Sequence, residues 1–295
     1  MTESKIRAGV IGLGAMGAPM ARHLAAAGLL SAVWNRTAGK AEALAGELGV
    51  TAAASPAALA ADCSVVLTCV SADADLLQVV EQFLPGLQAG STVVDTSTVS
   101  PLTAQRVAET LAGVPAGFVD APVSGGVEGA INGRLSVMAG GESADISRIR
   151  PVLEAFSATL THMGPVGAGQ ATKAVNQVLV GGIAEAVCEG LALAEKLNLP
   201  SQRLLSVLVA GAAGSWFLEH RGQSMLENRF KPGFKSALLL KDLRICEALA
   251  RELNIQMPMV ELTRRDYERL IDGGAGEQDT SALIKLKRGP AAEQG

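Results

Sequence analysis

Residues 8–28, AGVIGLGAMGAPMARHLAAAG, decide how the chain is read. A short apolar run enters a turn carrying Gly12, Gly14 and Gly17, and the turn opens into an amphipathic helix. The G-x-G-x-x-G spacing lets the backbone turn tightly, approach a pyrophosphate closely and pack helix against strand. The helix N-terminus then presents its free N–H groups to phosphates. Glycine turns also have purely structural uses, so the spacing alone is a weak signal. Here a strand precedes it, a helix follows and a second strand comes next, which predicts a dinucleotide site built on Gly12, Leu13, Gly14, Ala15, Met16 and Gly17.

The second strand, 32–35, ends where such folds place an acid for the adenosine ribose, about 20 residues after the glycines. This chain has Asn35, Arg36 and Thr37 there. A carboxylate would repel a 2′-phosphate, whereas Arg36 and the Thr37 hydroxyl can hydrogen-bond to one. NADP is therefore expected over NAD.

Alternating units continue through the first half. Helices are expected at 40–48, after the Ser55–Pro56 start, at 73–83 and from Pro101. Strands are expected at 64–70, before Thr96, up to Asp120, at 135–139 and at 159–162. Val70 and Ser71, and the Thr96, Ser97, Thr98 turn, fall at strand carboxyl ends, where open sheets bind ligands. Ser124, Gly125 and Gly126 read as an irregular loop whose N–H groups suit a carboxylate or phosphate. Together these elements predict an α/β, Rossmann-type, doubly wound and mostly parallel sheet over residues 1–164.

Residues 165–295 are expected to form an all-α domain built on one long helix, 167–196, with further helices at 200–209, 216–226, 238–253 and 258–270. The tail RGPAAEQG reads as disordered. From Val178 to Ala194 the only charges in the long helix are Glu185 and Glu189, which predicts a buried helix with one wet edge. Lys173 and Asn176, three residues apart near its start, share a face. A buried lysine costs energy unless a polar or charged group meets it, and a substrate is the expected partner.

Composition narrows the function. Of 295 residues, 48% are hydrophobic and only 3% aromatic, so aliphatics must build the core. A net charge of −4 spread over both halves gives no sign of a nucleic-acid surface. The N-terminus lacks a signal-peptide layout, and Glu185 and Glu189 interrupt the best candidate for a membrane span, so a cytoplasmic protein off the membrane is expected. Four cysteines without CxxC spacing read as reduced core residues, and three scattered histidines suggest no metal site.

Five pieces in order, GLGAMG at 12–17, DTSTVSP at 95–101, DAPVSGG at 120–126, GQATKAVNQ at 169–177 and FKSALLLKDL at 234–243, make the chain resemble the β-hydroxyacid dehydrogenases over nearly its whole length. That family includes 3-hydroxyisobutyrate dehydrogenases, tartronate semialdehyde reductases and glyoxylate/succinic semialdehyde reductases. The resemblance implies that Lys173 is the acid/base and that Asn176 fixes substrate and lysine. It implies that Ser124, Gly125 and Gly126 hold a substrate carboxylate, that Thr98 lies by the nicotinamide, and that Lys241 closes over the cofactor. VWNRT, at 33–37, looks like the NADPH-using glyoxylate and succinic semialdehyde reductase branch. Reversible reduction of a small carboxylated aldehyde follows, with 3-hydroxyisobutyrate or tartronate semialdehyde chemistry as the alternative within the family.

Two other readings compete. A non-catalytic nucleotide-binding scaffold would have no need of Lys173, and an imine reductase shares the architecture without normally keeping that lysine. The Tyr-x-x-x-Lys pair of short-chain dehydrogenases is missing, because Ile271 stands four residues after Tyr267. An apolar helical domain also suggests a homodimer or homotetramer.

Overall fold

In a computed structural model, which describes residues 6–289, the chain opens on β1 (Ala8–Ile11), all four residues of which are buried. There follow α1 (Gly17–Ala26), β2 (Leu30–Trp34), α2 (Ala38–Leu48), β3 (Thr51–Ala52), α3 (Pro56–Asp62), β4 (Val65–Thr68), α4 (Asp73–Phe83), β5 (Thr92–Asp95), α5 (Pro101–Leu111) and β6 (Gly117–Asp120). Then come β7 (Val123–Ser124), α6 (Gly126–Ile131), β8 (Leu135–Gly141), α7 (Ser143–Glu154), β9 (Ser157–Gly164) and α8 (Ala168–Lys196).

The strands form one sheet in the order β3-β2-β1-β4-β5-β6-β8-β7, with β9 paired to β8. Pairing is parallel from β3 to β6, as the alternating units predict, and antiparallel where β8 meets β6 and β7. Successive strand residues point to opposite faces. Val10, Leu67, Val94 and Val119 accordingly join one buried cluster, while Ile11, Val66, Val93 and Phe118 join another. Apolar cores on both faces are the signature of a doubly wound sheet. The strand order reverses between β1 and β4, and the crevice at their carboxyl ends is where such sheets take ligands.

Two expectations need correcting here. Ser124 and the glycines after it are not an irregular loop: Ser124 pairs with Ser136 as the end of β7, and Gly126 opens α6. The short strand exists because β8 is there to pair with, a contact that no local pattern announces. The long helix is also not buried all round. Val175 and Leu179 are more than 60% exposed and Ile183 is half-open, whereas Glu185, expected on a wet edge, is 1% exposed and ion-paired with Lys287. By length and composition alone α8 is long and apolar enough to cross a membrane, with Glu185 and Glu189 inside it. Its residues Ala184, Cys188 and Leu191 nevertheless belong to a protein core, and a buried ion pair sits on it.

The chain divides into two compact units, Met1–Lys173 and Ala174–Gly295. The division falls inside α8, whose first turn is bonded to the sheet through Asp120. The second unit continues with α9 (Ser201–Ala210), α10 (Trp216–Leu226), α11 (Ser236–Glu252), α12 (Pro258–Asp272), a 3-10 turn at Thr280–Leu283 and α13 (Ile284–Lys287). Its core gathers Cys188, Leu191, Phe217, Leu239, Leu243, Tyr267 and Ile284. Tyr267 is fully buried and its hydroxyl donates to the Thr280 carbonyl at 2.8 Å, tying α12 to the turn before α13. Of the tail read as disordered, 290–295 lie outside the described residues.

Candidate active site

The glycine turn joins β1 to α1, and each glycine has its own reason. Gly12 has φ +96°, and a Cβ there would lie 2.2 Å from the Cys69 carbonyl oxygen. A Cβ on Gly17 would lie 1.9 Å from the Gly12 oxygen, so only glycine lets α1 start this close to the strand. Gly14 differs, since nothing stands within 4 Å of where its Cβ would be. That open side is what a pyrophosphate needs in order to approach the backbone. The helix N-cap, Met16, makes no side-chain hydrogen bond to the first turn, which suits a phosphate at that end. The residues present therefore fit a dinucleotide.

Leu13 and Asn35 serve the turn from within. The Leu13 side chain is in the core, and its N–H donates to Asn35 Oδ1 at 2.9 Å. Asn35 Nδ2 in turn donates to the Thr37 carbonyl at 3.2 Å. Asn35 thus ties the end of β2 to the glycine turn. The neighbouring Arg36 side chain is 82% exposed, with Asp75 of α4 at 3.1 Å. Thr37, the N-cap of α2, makes no side-chain cap bond.

Along the same sheet edge, the segments after β4 and β5 brace each other. Ser97 Oγ accepts the Val70 N–H at 2.8 Å and donates to Asp95 Oδ1 at 2.7 Å, and Thr68 Oγ1 donates to the same carboxylate oxygen at 2.7 Å. Thr96 and Ser97 are buried structural groups, which leaves Thr98 as the partly exposed hydroxyl of the three. Burial pushes the Cys69 thiol up to about 12, so the cysteine beneath the glycine turn is no nucleophile. Ser71 is exposed at the end of β4, and Ser124 and Gly126 are partly exposed with Gly125 open between them. Gly125 and Gly126 take φ +130° and +64°, a backbone that other residues rarely adopt.

Lys173 lies early in α8 and is 7% exposed, as expected of a lysine held away from water. Asn176 and Lys241 belong to the second unit, where two residues unremarked in the sequence join them. Asn176 Nδ2 donates to Gln177 Oε1 at 2.7 Å, Gln177 Nε2 donates to Asp242 Oδ2 at 2.6 Å, and Asp242 holds the Lys241 ammonium at 2.9 Å. Asp75, Asp120 and Gln170 also escaped sequence reading. The available signal was their chemistry: a carboxylate closing an apolar strand, and an amide one turn before the lysine. Among the described residues no group of His, Cys, Asp or Glu could hold a metal ion.

Residues 7–164 match the family model described as the NAD binding domain of 6-phosphogluconate dehydrogenase. Residues 167–287 match the one described as NAD-binding of NADP-dependent 3-hydroxyisobutyrate dehydrogenase. The chain belongs to the β-hydroxyacid dehydrogenase family. As a β-hydroxyacid dehydrogenase it is similar to the 2-hydroxy-3-oxopropionate reductase of Escherichia coli (strain K12), at 34% identity over 95% of this chain and 96% of that protein. It is similar to glyoxylate/succinic semialdehyde reductase 1 of Arabidopsis thaliana, at 31% identity over 94% and 96% of the two chains. The crystal structure of a 3-hydroxyisobutyrate dehydrogenase from Salmonella typhimurium superposes with TM-score 0.86 at 30% identity, covering 95% of this chain and 99% of that one. Like its relatives, this β-hydroxyacid dehydrogenase is an NAD(P)-dependent oxidoreductase of the hydroxyacid dehydrogenase and semialdehyde reductase class.

Proposed function

We propose that the enzyme reduces a small carboxylated aldehyde, glyoxylate or succinic semialdehyde, to the hydroxy acid, reversibly and with NADPH. The observation that carries this reading is Lys173, buried on α8 three residues before Asn176. When bound, the nicotinamide cofactor supplies the hydride. Lys173 gives a proton to the carbonyl oxygen as charge develops there, and its ammonium stabilises the forming alkoxide. Asn176 orients the same oxygen without carrying charge. Ser124, Gly125 and Gly126 hold the substrate carboxylate, and Thr98 lines the nicotinamide side. In the reverse direction neutral Lys173 accepts the hydroxyl proton.

The cofactor is held through the backbone at Gly14, Ala15 and Met16, beside Gly12, Leu13 and Gly17, with Val70 and Ser71 alongside. Asn35 braces the turn, and Arg36 and Thr37 take a 2′-phosphate. Lys241 is assigned to the cofactor on the family resemblance. An exposed pair such as Arg36–Asp75 is worth only ~0–1 kcal/mol, so Arg36 can exchange its carboxylate for a phosphate at little cost.

Steady-state kinetics with glyoxylate, succinic semialdehyde, tartronate semialdehyde and methylmalonate semialdehyde, each with NADPH and NADH, test the reading. The highest kcat/KM is expected for one of the first two with NADPH. A clear preference for tartronate semialdehyde would move the enzyme to the function of its Escherichia coli relative. In the same assay Arg36→Asp is expected to lower the NADPH/NADH efficiency ratio by about 10- to 100-fold, the value of a charged hydrogen bond of ~1.5–3 kcal/mol. An unchanged ratio would mean that Arg36 does not read the phosphate.

We also propose a homodimer or homotetramer. The exposed apolar face of α8, Val175, Leu179 and Ile183, is continued by Met259 of α12, which lies 3.6 Å from the Cβ position of Gly182. Such a face is costly in water and suits a second copy. Sedimentation equilibrium should give a dimer or larger for the wild type and a smaller species for Leu179→Glu; a wild-type monomer would refute the assembly.

A further inference from the structure

The first-turn N–H groups of a helix have no partners within the helix. In α8 they are met by a side chain from the sheet. Asp120, at the end of β6 and fully buried, accepts from Gly167 N–H through Oδ1 and from Gln170 N–H through Oδ2, both at 2.8 Å. The positive end of the helix dipole favours a carboxylate there. Burial still pushes the Asp120 carboxyl up to about 7. Two glycines let the helix come this close: a Cβ on Gly169 would lie 2.4 Å from the Met138 oxygen, and one on Gly140 would lie 2.5 Å from Asp120 Oδ1.

Gln170, 1% exposed, then reaches away from the helix. Its Nε2 donates to the Ser97 carbonyl at 2.8 Å, and its Oε1 accepts the Val99 N–H at 3.2 Å. Those two backbone groups flank Thr98. One side-chain amide thus grips both sides of that residue, in the manner of a paired strand. Gln170 also stands three positions before Lys173, on the same face of α8.

We propose that Gln170, on a helix end anchored by Asp120, is a positioning residue that sets Thr98 and Lys173 relative to each other and so aligns the two ends of the reaction. This rests on the assignment of Lys173 as acid/base and of Thr98 to the nicotinamide side. Misplacing reacting groups by about 1 Å can cost up to ~10²-fold in rate, which sets the scale of the effect.

The test uses the full chain carrying Gln170→Met, which keeps the length and apolar bulk of the side chain and removes both hydrogen bonds. Expected are a kcat lower by about 10- to 100-fold, KM and the NADPH dissociation constant within about threefold of wild type, and a larger solvent deuterium isotope effect on kcat. If Gln170→Met does not fold, Gln170→Asn keeps the amide chemistry but falls one methylene short, and it should show the same pattern. A variant with a lower melting temperature but unchanged kcat and isotope effect would reduce Gln170 to a structural role and overturn the proposal. Lys173→Ala, measured alongside, separates the two failures. Near-normal turnover there removes the catalytic reading and the proposal with it. Lost turnover there, with Gln170→Met unaffected, removes the proposal alone.

Discussion

Lys173→Ala is expected to lower turnover by ~10²–10⁴-fold, the usual worth of a positioned general acid, while NADPH still binds. In the proposed assignment the cofactor's phosphates are met by the glycine turn and the end of β2, so deleting a side chain on α8 leaves their partners in place. What goes is the group that stabilises the alkoxide and delivers its proton. Water is a poor substitute, because the position is 7% exposed. Lys173→Arg should also be slow, since a guanidinium keeps the charge but does not give up its proton near neutral pH. Pre-steady-state turnover and cofactor titration by fluorescence make the comparison. Retained activity in the alanine variant would sink the assignment.

Lys287→Met should strongly destabilise the second unit. The Lys287 ammonium sits among Glu185, Asp266 and Glu189, with Glu185 1% exposed, and desolvation holds the lysine pKa below its usual value. The other oxygen of Glu185 is buried with no hydrogen-bond partner. Breaking a buried pair by removing one partner typically costs ~3–5 kcal/mol, because the remaining charge is stranded. Asp266 keeps Arg269 at 3.0 Å, so the stranded group is Glu185. Adding Glu185→Leu to Lys287→Met should recover most of the loss. Urea denaturation of the three proteins decides it, and a single variant within about 0.5 kcal/mol of wild type, the range of an ordinary surface change, would refute the argument.

What the sequence made legible follows from how far each signal reaches. The glycine turn, α4 at Asp73–Phe83 and α10 at Trp216–Leu226 were readable because their spacing and apolar period lie within a few residues of one another. Ser55 and Pro56 announced α3 in the same way, and Ser55 Oγ accepts the Ala58 N–H at 3.1 Å. β7 and the start of α6 were not readable, because Ser124 becomes a strand residue only by pairing with Ser136. Glu185 was misread as solvated because its partner Lys287 stands 102 positions on. At the site, the motifs were visible but not the division of labour within them. Asp120, Gln170, Gln177 and Asp242 stand inside the quoted motifs, yet their bracing roles were not readable, since each is made by a contact 47 or more residues distant.

The carboxylate of Asp120 bears on how this protein can be taken apart. A fragment ended at 164, where both the sequence pattern and the first family match stop, would lose the two N–H groups at Gly167 and Gln170. It would uncover the Asp120 carboxylate without its two helix partners, and lose the amide that grips the segment around Thr98. Swapping nucleotide-binding halves between relatives should therefore be done with the splice placed beyond Lys173, so that the sheet travels with the turn of helix that completes it.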